Sequence, residues 1–504
     1  MLPSETTQQQ RSTAKTGIPG LDEVLCGGFP ADRLYLLEGD PGTGKTTIAL
    51  QFLLEGVRLG EACLYITLSE TEDELQSVAQ SHGWSLHGVS LYELQAQENK
   101  LNPEQRYTIF HPVEVELDKT MNLIFEEVKR VNPKRVVFDS LSEMRLLAHD
   151  SLRFRRQILA LKQFFAKRET TVLLLDDNTI EGHDLQLQSI CHGVLALESR
   201  WAEFGPPRRK LRVVKVRGLA FREGDHDFAI RRGGVYLYPQ LPEAGKDSPQ
   251  NWELVSSGMA QLDSLLGGGL NRGSSALLLG PSGCGKSTLA TLYACAAAER
   301  GEKVAVYIFE ENRNIFLRRA QRTGLPVEKH VAAGRITLNQ VDPAELSPGE
   351  FAHLVRQAVT QDKARMVIID SVNGYLNAMP SQQALLLHIH ELLTYLGQQQ
   401  VLTFLVVAQH GLVGSAMASP VDVSYLADSV VLLRYFETGG AIRQALSVVK
   451  KRDGGHERTV RELQLTAEGP TVGAPLKDFE GVLSGTPVYR GPDPLLAKRG
   501  DPLS

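Results

Sequence analysis

The chain has 504 residues, 42% hydrophobic and 22% charged, which is ample for two to four globular domains. Its 54 Lys and Arg against 59 Asp and Glu leave a net charge of -5, so no dominant basic field recruits nucleic acid, although a local basic channel stays open. No apolar run approaches the ~18 residues of a membrane span, the N-terminus is polar rather than a signal peptide, and five cysteines without a C-x-x-C pair suit reduced thiols: a cytoplasmic protein is expected.

Residues 1–12 are Ser, Thr and Gln rich and read as a disordered lead-in. A first domain over 13–239 opens with Thr16 to Gly28, then an apolar strand from Leu34 to Leu37, then the loop Gly39-Asp-Pro-Gly-Thr-Gly-Lys-Thr46. After a Pro/Gly-rich linker over 240–252, a second domain over 253–485 repeats the order: Ser257 to Gly269, a strand over Ala276 to Leu279, and Gly280-Pro-Ser-Gly-Cys-Gly-Lys-Ser-Thr288. Asp22 and Asp263, Gly39 and Gly280, and Glu70 and Glu311 are each 241 positions apart, so one domain has been duplicated. Residues 486–504 read as a poorly ordered tail.

Both halves alternate helix and strand, which predicts an α/β fold: two tandem P-loop domains, each a mostly parallel sheet with helices on both faces and a closing antiparallel hairpin. Helices are expected over Thr46 to Arg58 and Ser287 to Arg300, each ended by a glycine. The next strands, Ala62 to Leu68 and Val304 to Phe309, close on Ser69-Glu70 and Glu310-Glu311. The most apolar strands then end in Asp139 and Asp370, at the edge where parallel sheets bind ligands. Hairpins carrying Lys215 with Arg217, and Lys450 with Arg452, finish the two halves.

The G-x-x-x-x-G-K-[ST] loops are phosphate cradles, in which small residues let backbone N–H groups and a helix N-terminus converge on phosphate oxygens. Gly39, Gly42, Thr43, Gly44, Lys45, Thr46 and Thr47 form the first, and Gly280, Gly283, Cys284, Gly285, Lys286, Ser287 and Thr288 the second. The lysines reach the β- and γ-phosphates of ATP; Thr46 with Asp139, and Ser287 with Asp370, are the candidate Mg²⁺ ligands. Glu310 and Glu311 are candidates to orient or deprotonate a nucleophile, and two adjacent carboxylates tend to raise one pKa; an exposed helix start is the plainer reading. In the first half Ser69 stands at the position of Glu310, leaving Glu70 alone, so an N-terminal site that is slower, or that depends on Glu70, is expected. Cys284 lies inside the second loop, where Lys286 and the helix N-terminus should lower a thiol's pKa; a small residue tolerated at a free position of the motif is the plainer reading.

Together the double phosphate loop, the matching openings, the acidic residues after the second strand and the K-x-R hairpins resemble KaiC, a family of two-domain ATPases and autokinases within the RecA-like ATPases. The resemblance spans about residues 13–485. It implies hexameric double rings with ATP between subunits, Lys215, Arg217, Lys450 and Arg452 reaching a neighbour's γ-phosphate, and a signalling partner. The family's phosphorylated Ser-Thr pair corresponds to Ser424 and Tyr425 here, so single-site phosphorylation of Ser424 is expected and a two-site cycle is not. A RecA-like nucleic-acid-dependent ATPase and a nucleotide-gated scaffold with little turnover remain the alternatives.

Overall fold

The computed structural model describes residues 12–94, 112–148, 150–177, 185–201, 205–242, 253–377, 379, 381–409, 422–438, 440–484 and 487–491. Most of the expected lead-in, linker and tail lie outside the described residues. The chain divides into two compact units, 1–240 and 241–504.

In the first unit a nine-stranded sheet runs, in spatial order, Gly234–Tyr238, Asp225–Arg231, Arg208–Val216, Gly193–Arg200, Leu34–Gly39, Thr171–Asp177, Arg135–Asp139, Cys63–Thr67 and Val89–Glu93. The six strands from Gly193–Arg200 to Val89–Glu93 are parallel, and the other three join antiparallel. The second unit repeats this order with Gly469–Pro475, Arg461–Thr466, Ala441–Lys451, Ser429–Thr438, Ser275–Pro281, Leu402–Gln409, Ala364–Asp370, Lys303–Ile308 and Ile336–Gln340. The expected α/β architecture is therefore present twice.

Continuous apolar runs become central strands because both faces are covered, and successive side chains serve opposite cores. Tyr35 and Leu37 enter one core while Leu34 and Leu36 enter the other. In the second unit Ala276 and Leu278 point to one core and Leu277 to its counterpart. Onto the first of these faces pack the helices that follow the phosphate loops, Lys45–Arg58 and Lys286–Glu299, which start one residue earlier than their spacing predicts. Each stops at a left-handed glycine, Gly60 or Gly301, and the next amide returns to a carbonyl of the last turn, Glu61 to Gly56 and Glu302 to Ala297.

Glu61 and Glu302 occupy equivalent places, and each faces a buried arginine, from a strand in the first unit and from a turn in the second. In the first unit this is Arg135, 1% exposed, whose Nε donates to Glu61 at 2.5 Å and whose Nη1 donates to the carbonyls of Lys15 and Phe52. In the second, Met366 fills the position of Arg135, and Arg272 pairs with Glu302 at 2.9 Å instead. The same charge is thus neutralised by two solutions.

Candidate functional site

Both phosphate loops leave the sheet at the C-terminal ends of the parallel strands. Gly44 and Gly285 hold φ at 103° as the residue before each helix, and a Cβ on Gly44 would come within 2.6 Å of Ile230. Only glycine fits this backbone. The Lys45 ammonium donates to the carbonyls of Gly39 and Asp40 and lies 2.7 Å from Asp177 Oδ1. The Lys286 ammonium donates to Pro281 O at 2.6 Å and has Cys284 Sγ at 3.9 Å; burial lowers its pKa.

Asp139 and Asp370 end the strands one place removed from the phosphate-loop strands, each followed by a cis peptide bond to a serine. Ser287 stands close enough to Asp370 to pull its carboxyl pKa down, so the two candidate metal ligands of the second domain lie together. Burial raises the Asp370 carboxyl and Glu311 adds to it, with Ser287 and the charges of Arg319 and Lys286 opposing. In the first domain Asp139 Oδ2 instead accepts from Tyr65 at 2.5 Å, while the Thr46 hydroxyl lies 3.5 Å from Glu70 Oε1.

The acidic residues behave differently from one another. Ser371 donates to Glu310 Oε1 at 2.7 Å, fixing that carboxylate beside the end of the strand that carries Asp370. Glu311 turns to Arg319, whose Nε lies 3.2 Å from both of its oxygens. The expected pair of mutually repelling carboxylates is therefore split, one held by a serine and the other by an arginine. Glu70, alone in the first domain, is pushed up to about 7 by burial first, then by Asp139, Glu74 and Asp177, while Thr46 acts in the other direction. Its Oε2 is buried without a hydrogen-bond partner. These residues suit a nucleotide with its metal: glycine-lined loops, a lysine in each, and a hydroxyl with a carboxylate at the metal position.

One expectation is corrected. The Cys284 side chain is buried, and burial pushes its thiol pKa up despite the pull of Lys286 in the other direction. Desolvation outweighs the nearby cation because the sulfur faces the protein interior rather than the loop mouth. A reactive thiol at this loop is not supported.

The hairpin residues are not brought to the phosphate loop of their own domain. Val194 pairs with Lys215 and Val430 with Lys450, each beside a β-bulge, which puts these lysines where the parallel strands begin. The phosphate loop lies at the other end of Ser275–Pro281, a seven-residue strand. Its length is about 20 Å at ~3.3 Å per residue. Lys450 donates to the carbonyls of Ser424 and Ala427, and Arg452 to the carbonyl of Tyr425 at 2.5 Å and to Asp428 at 3.3 Å. In the first domain Lys215 donates to Gln188 O and Arg217 to Ser189 O. Ser424 shares this edge, with its hydroxyl 2.6 Å from Asp422 Oδ1. Beside it a cavity of about 960 Å³ opens, lined by Tyr425, Asp428, Arg452, Leu386 and Leu387 among others.

Reading the sequence alone did not single out Tyr65, Asp177 or Arg319. Asp176-Asp177 carried a signal, since an acidic pair ends an apolar strand there just as Asp139 does. Tyr65 carried none, because its role depends on which strand lies beside it.

Among the described residues no helix is long and apolar enough to cross a membrane. A protein-family model described as "ATPase: KaiC" matches residues 14–242 and again 255–477. The "Circadian clock protein KaiC3" of Synechocystis sp. is 26% identical over 493 residues, 94% of each chain. The "Circadian clock oscillator protein KaiC" is 24% identical in Nostoc sp., over 95% of this chain and 94% of that one, and 25% identical in Synechococcus elongatus, over 96% and 94%. With two matched ATPase domains that together cover most of its length, the chain belongs to the KaiC family.

Proposed function

We propose that the protein is a self-assembling, ATP-hydrolysing switch whose sites are completed by a neighbouring copy, and whose C-terminal domain phosphorylates Ser424. The observation that carries this reading is the separation of Lys450, Arg452 and Ser424 from the phosphate loop of their own domain by the length of a strand. Groups of this chemistry at the far edge of the sheet serve a second copy, as in closed head-to-tail rings. Six copies is the number the family resemblance implies.

In this arrangement the backbone amides of Gly283 to Ser287 and the Lys286 ammonium hold the β- and γ-phosphates, while Ser287 and Asp370 would hold Mg²⁺. The metal, when bound, supplies positive charge to the phosphate oxygens. Glu310 takes the proton of the attacking hydroxyl, water in hydrolysis or a neighbour's Ser424 in the kinase reaction, as the oxygen–phosphorus bond forms and ADP leaves. Arg452 and Lys450 of the neighbour stabilise charge on the transferring group. In the first domain Glu70 takes the part of the base, with Lys215 and Arg217 as the contributed cations.

Tyr425 stands where the family's second acceptor would be, so one mark rather than a two-site cycle is expected. The relatives' names place them in circadian clocks, and a clock-related or other signalling role with a protein partner follows by analogy. The test is to incubate pure protein with Mg-ATP and follow particle size, phosphate release and phosphopeptides together. Assembly, turnover and a mark on Ser424 are expected; a monomer that neither assembles nor releases phosphate overturns the reading.

A further inference from the structure

Strand register makes the two sites comparable position by position. Gly39 pairs with Asp177 and Gly280 with Ala408, so an aspartate in the first domain answers to an alanine in the second. Thr67 pairs with Asp139 and Ile308 with Asp370, so Tyr65 answers to Val306. Each substitution adds a polar group to the N-terminal site, and each group holds a residue that nucleotide binding requires. Asp177 lies 2.7 Å from the Lys45 ammonium, and Tyr65 donates to Asp139 at 2.5 Å. In the second domain Lys286 contacts a backbone carbonyl and the weakly polar Cys284 sulfur, and the apolar Val306 at the position of Tyr65 offers Asp370 no hydroxyl.

We infer that Asp177 and Tyr65 are affinity-determining residues that make the N-terminal site the weaker of the two for Mg-nucleotide. The inference rests on the reading of both loops as nucleotide sites. For phosphate to reach Lys45, the Asp177 carboxylate must give up its ion pair, and it then faces phosphate oxygens of its own sign. Its side chain is 28% exposed, so water recovers part of the loss. What remains is the scale of one charge-assisted hydrogen bond, about tenfold in Kd. Tyr65 acts on the metal half of the ligand: its hydroxyl occupies the carboxylate oxygen of Asp139 and must rotate or yield for that oxygen to serve Mg²⁺ or a metal-bound water. Its effect therefore depends on metal, whereas that of Asp177 does not.

The experiment uses full-length chains in which one site is silenced at a time, Lys286→Ala to isolate the N-terminal site and Lys45→Ala to isolate the C-terminal one. Binding of fluorescent N-methylanthraniloyl-ADP is titrated with Mg²⁺ and with EDTA. The N-terminal site should bind the Mg²⁺ complex about tenfold more weakly than the C-terminal site. Asp177→Ala and the near-isosteric Asp177→Asn should both remove most of that difference with or without metal, and Tyr65→Phe should tighten binding only with Mg²⁺. The reciprocal Ala408→Asp should weaken the C-terminal site by a similar factor. Unchanged or weaker N-terminal binding in both Asp177 variants overturns the inference, because it makes Asp177 a support for Lys45 rather than its competitor. Persistent binding in the Lys45→Ala, Lys286→Ala double variant is a separate result that overturns the nucleotide-site reading itself.

Discussion

Glu70 offers a pH test that follows from its surroundings. A carboxyl in water ionises near 4.5, but burial, Asp139, Glu74 and Asp177 push this one up to about 7. As the base of the N-terminal site it must be ionised to accept a proton. With a midpoint near 7, about one-tenth of chains carry the ionised form at pH 6 and about nine-tenths at pH 8. Phosphate release from the N-terminal site, read as kcat/KM because that ratio reports the free enzyme, should therefore rise about tenfold between these values. The assay uses a Lys286→Ala chain so that the C-terminal site is silent, and Glu70→Gln should remove both the activity and the inflection. Asp177→Ala removes one of the charges that raise Glu70 and should move the midpoint down. The effect on folding has the opposite sense. The folded chain retains the proton between about 4.5 and about 7 where the unfolded chain has lost it, so this group's contribution to stability is complete below the lower value and is lost as pH rises through the higher one. A kcat/KM that is flat from pH 6 to 8 while Glu70→Gln is inactive would refute the reasoning.

In the C-terminal site, Glu310→Gln should lower phosphate release at least about a hundredfold, and Glu311→Gln much less, because Glu311 is committed to Arg319. Arg319→Ala should resemble Glu311→Gln; a larger loss from Glu311→Gln than from Glu310→Gln contradicts this division. Arg135→Met, which places in the first domain the residue that the second has at this position, should destabilise that domain by about 3 kcal/mol in a denaturant titration, since Glu61 and two carbonyls lose their donor. A change below ~1 kcal/mol would mean that water replaces the guanidinium with little cost.

Much of the site was legible in the sequence because its chemistry is tied to short local patterns. A phosphate loop needs glycines, a lysine and a hydroxyl within nine residues, and the flanking apolar runs show that a strand precedes it and a helix follows. Asp139 and Asp370 were legible for the same reason, as carboxylates closing continuous apolar strands. Tyr65 with Asp139, Asp177 with Lys45 and Ser371 with Glu310 were not, because each contact joins elements far apart in the chain and depends on strand order and register. Cys284 shows competing local effects: its neighbours argue for a lowered pKa, yet the side chain turns inward and burial wins. The outer strands Gly234–Tyr238 and Gly469–Pro475 also went unread. The second opens on Gly-Pro and closes on Pro, a composition that signals turns but is tolerated on a sheet edge.

The central claim, that one copy completes the C-terminal site of the next, is tested most directly by mixing two inactive chains, both carrying Lys45→Ala to silence the N-terminal site. One adds Lys286→Ala and keeps Lys450 and Arg452; the other adds Lys450→Ala and Arg452→Ala and keeps its phosphate loop. Each alone should release almost no phosphate. Assembled together in equal amounts with Mg-ATP, about one interface in four joins an intact loop to intact cations, so activity should recover to about a quarter of that of the Lys45→Ala parent. A mixture that stays as inactive as its components would contradict the claim, as would full activity of the Lys450→Ala, Arg452→Ala chain by itself.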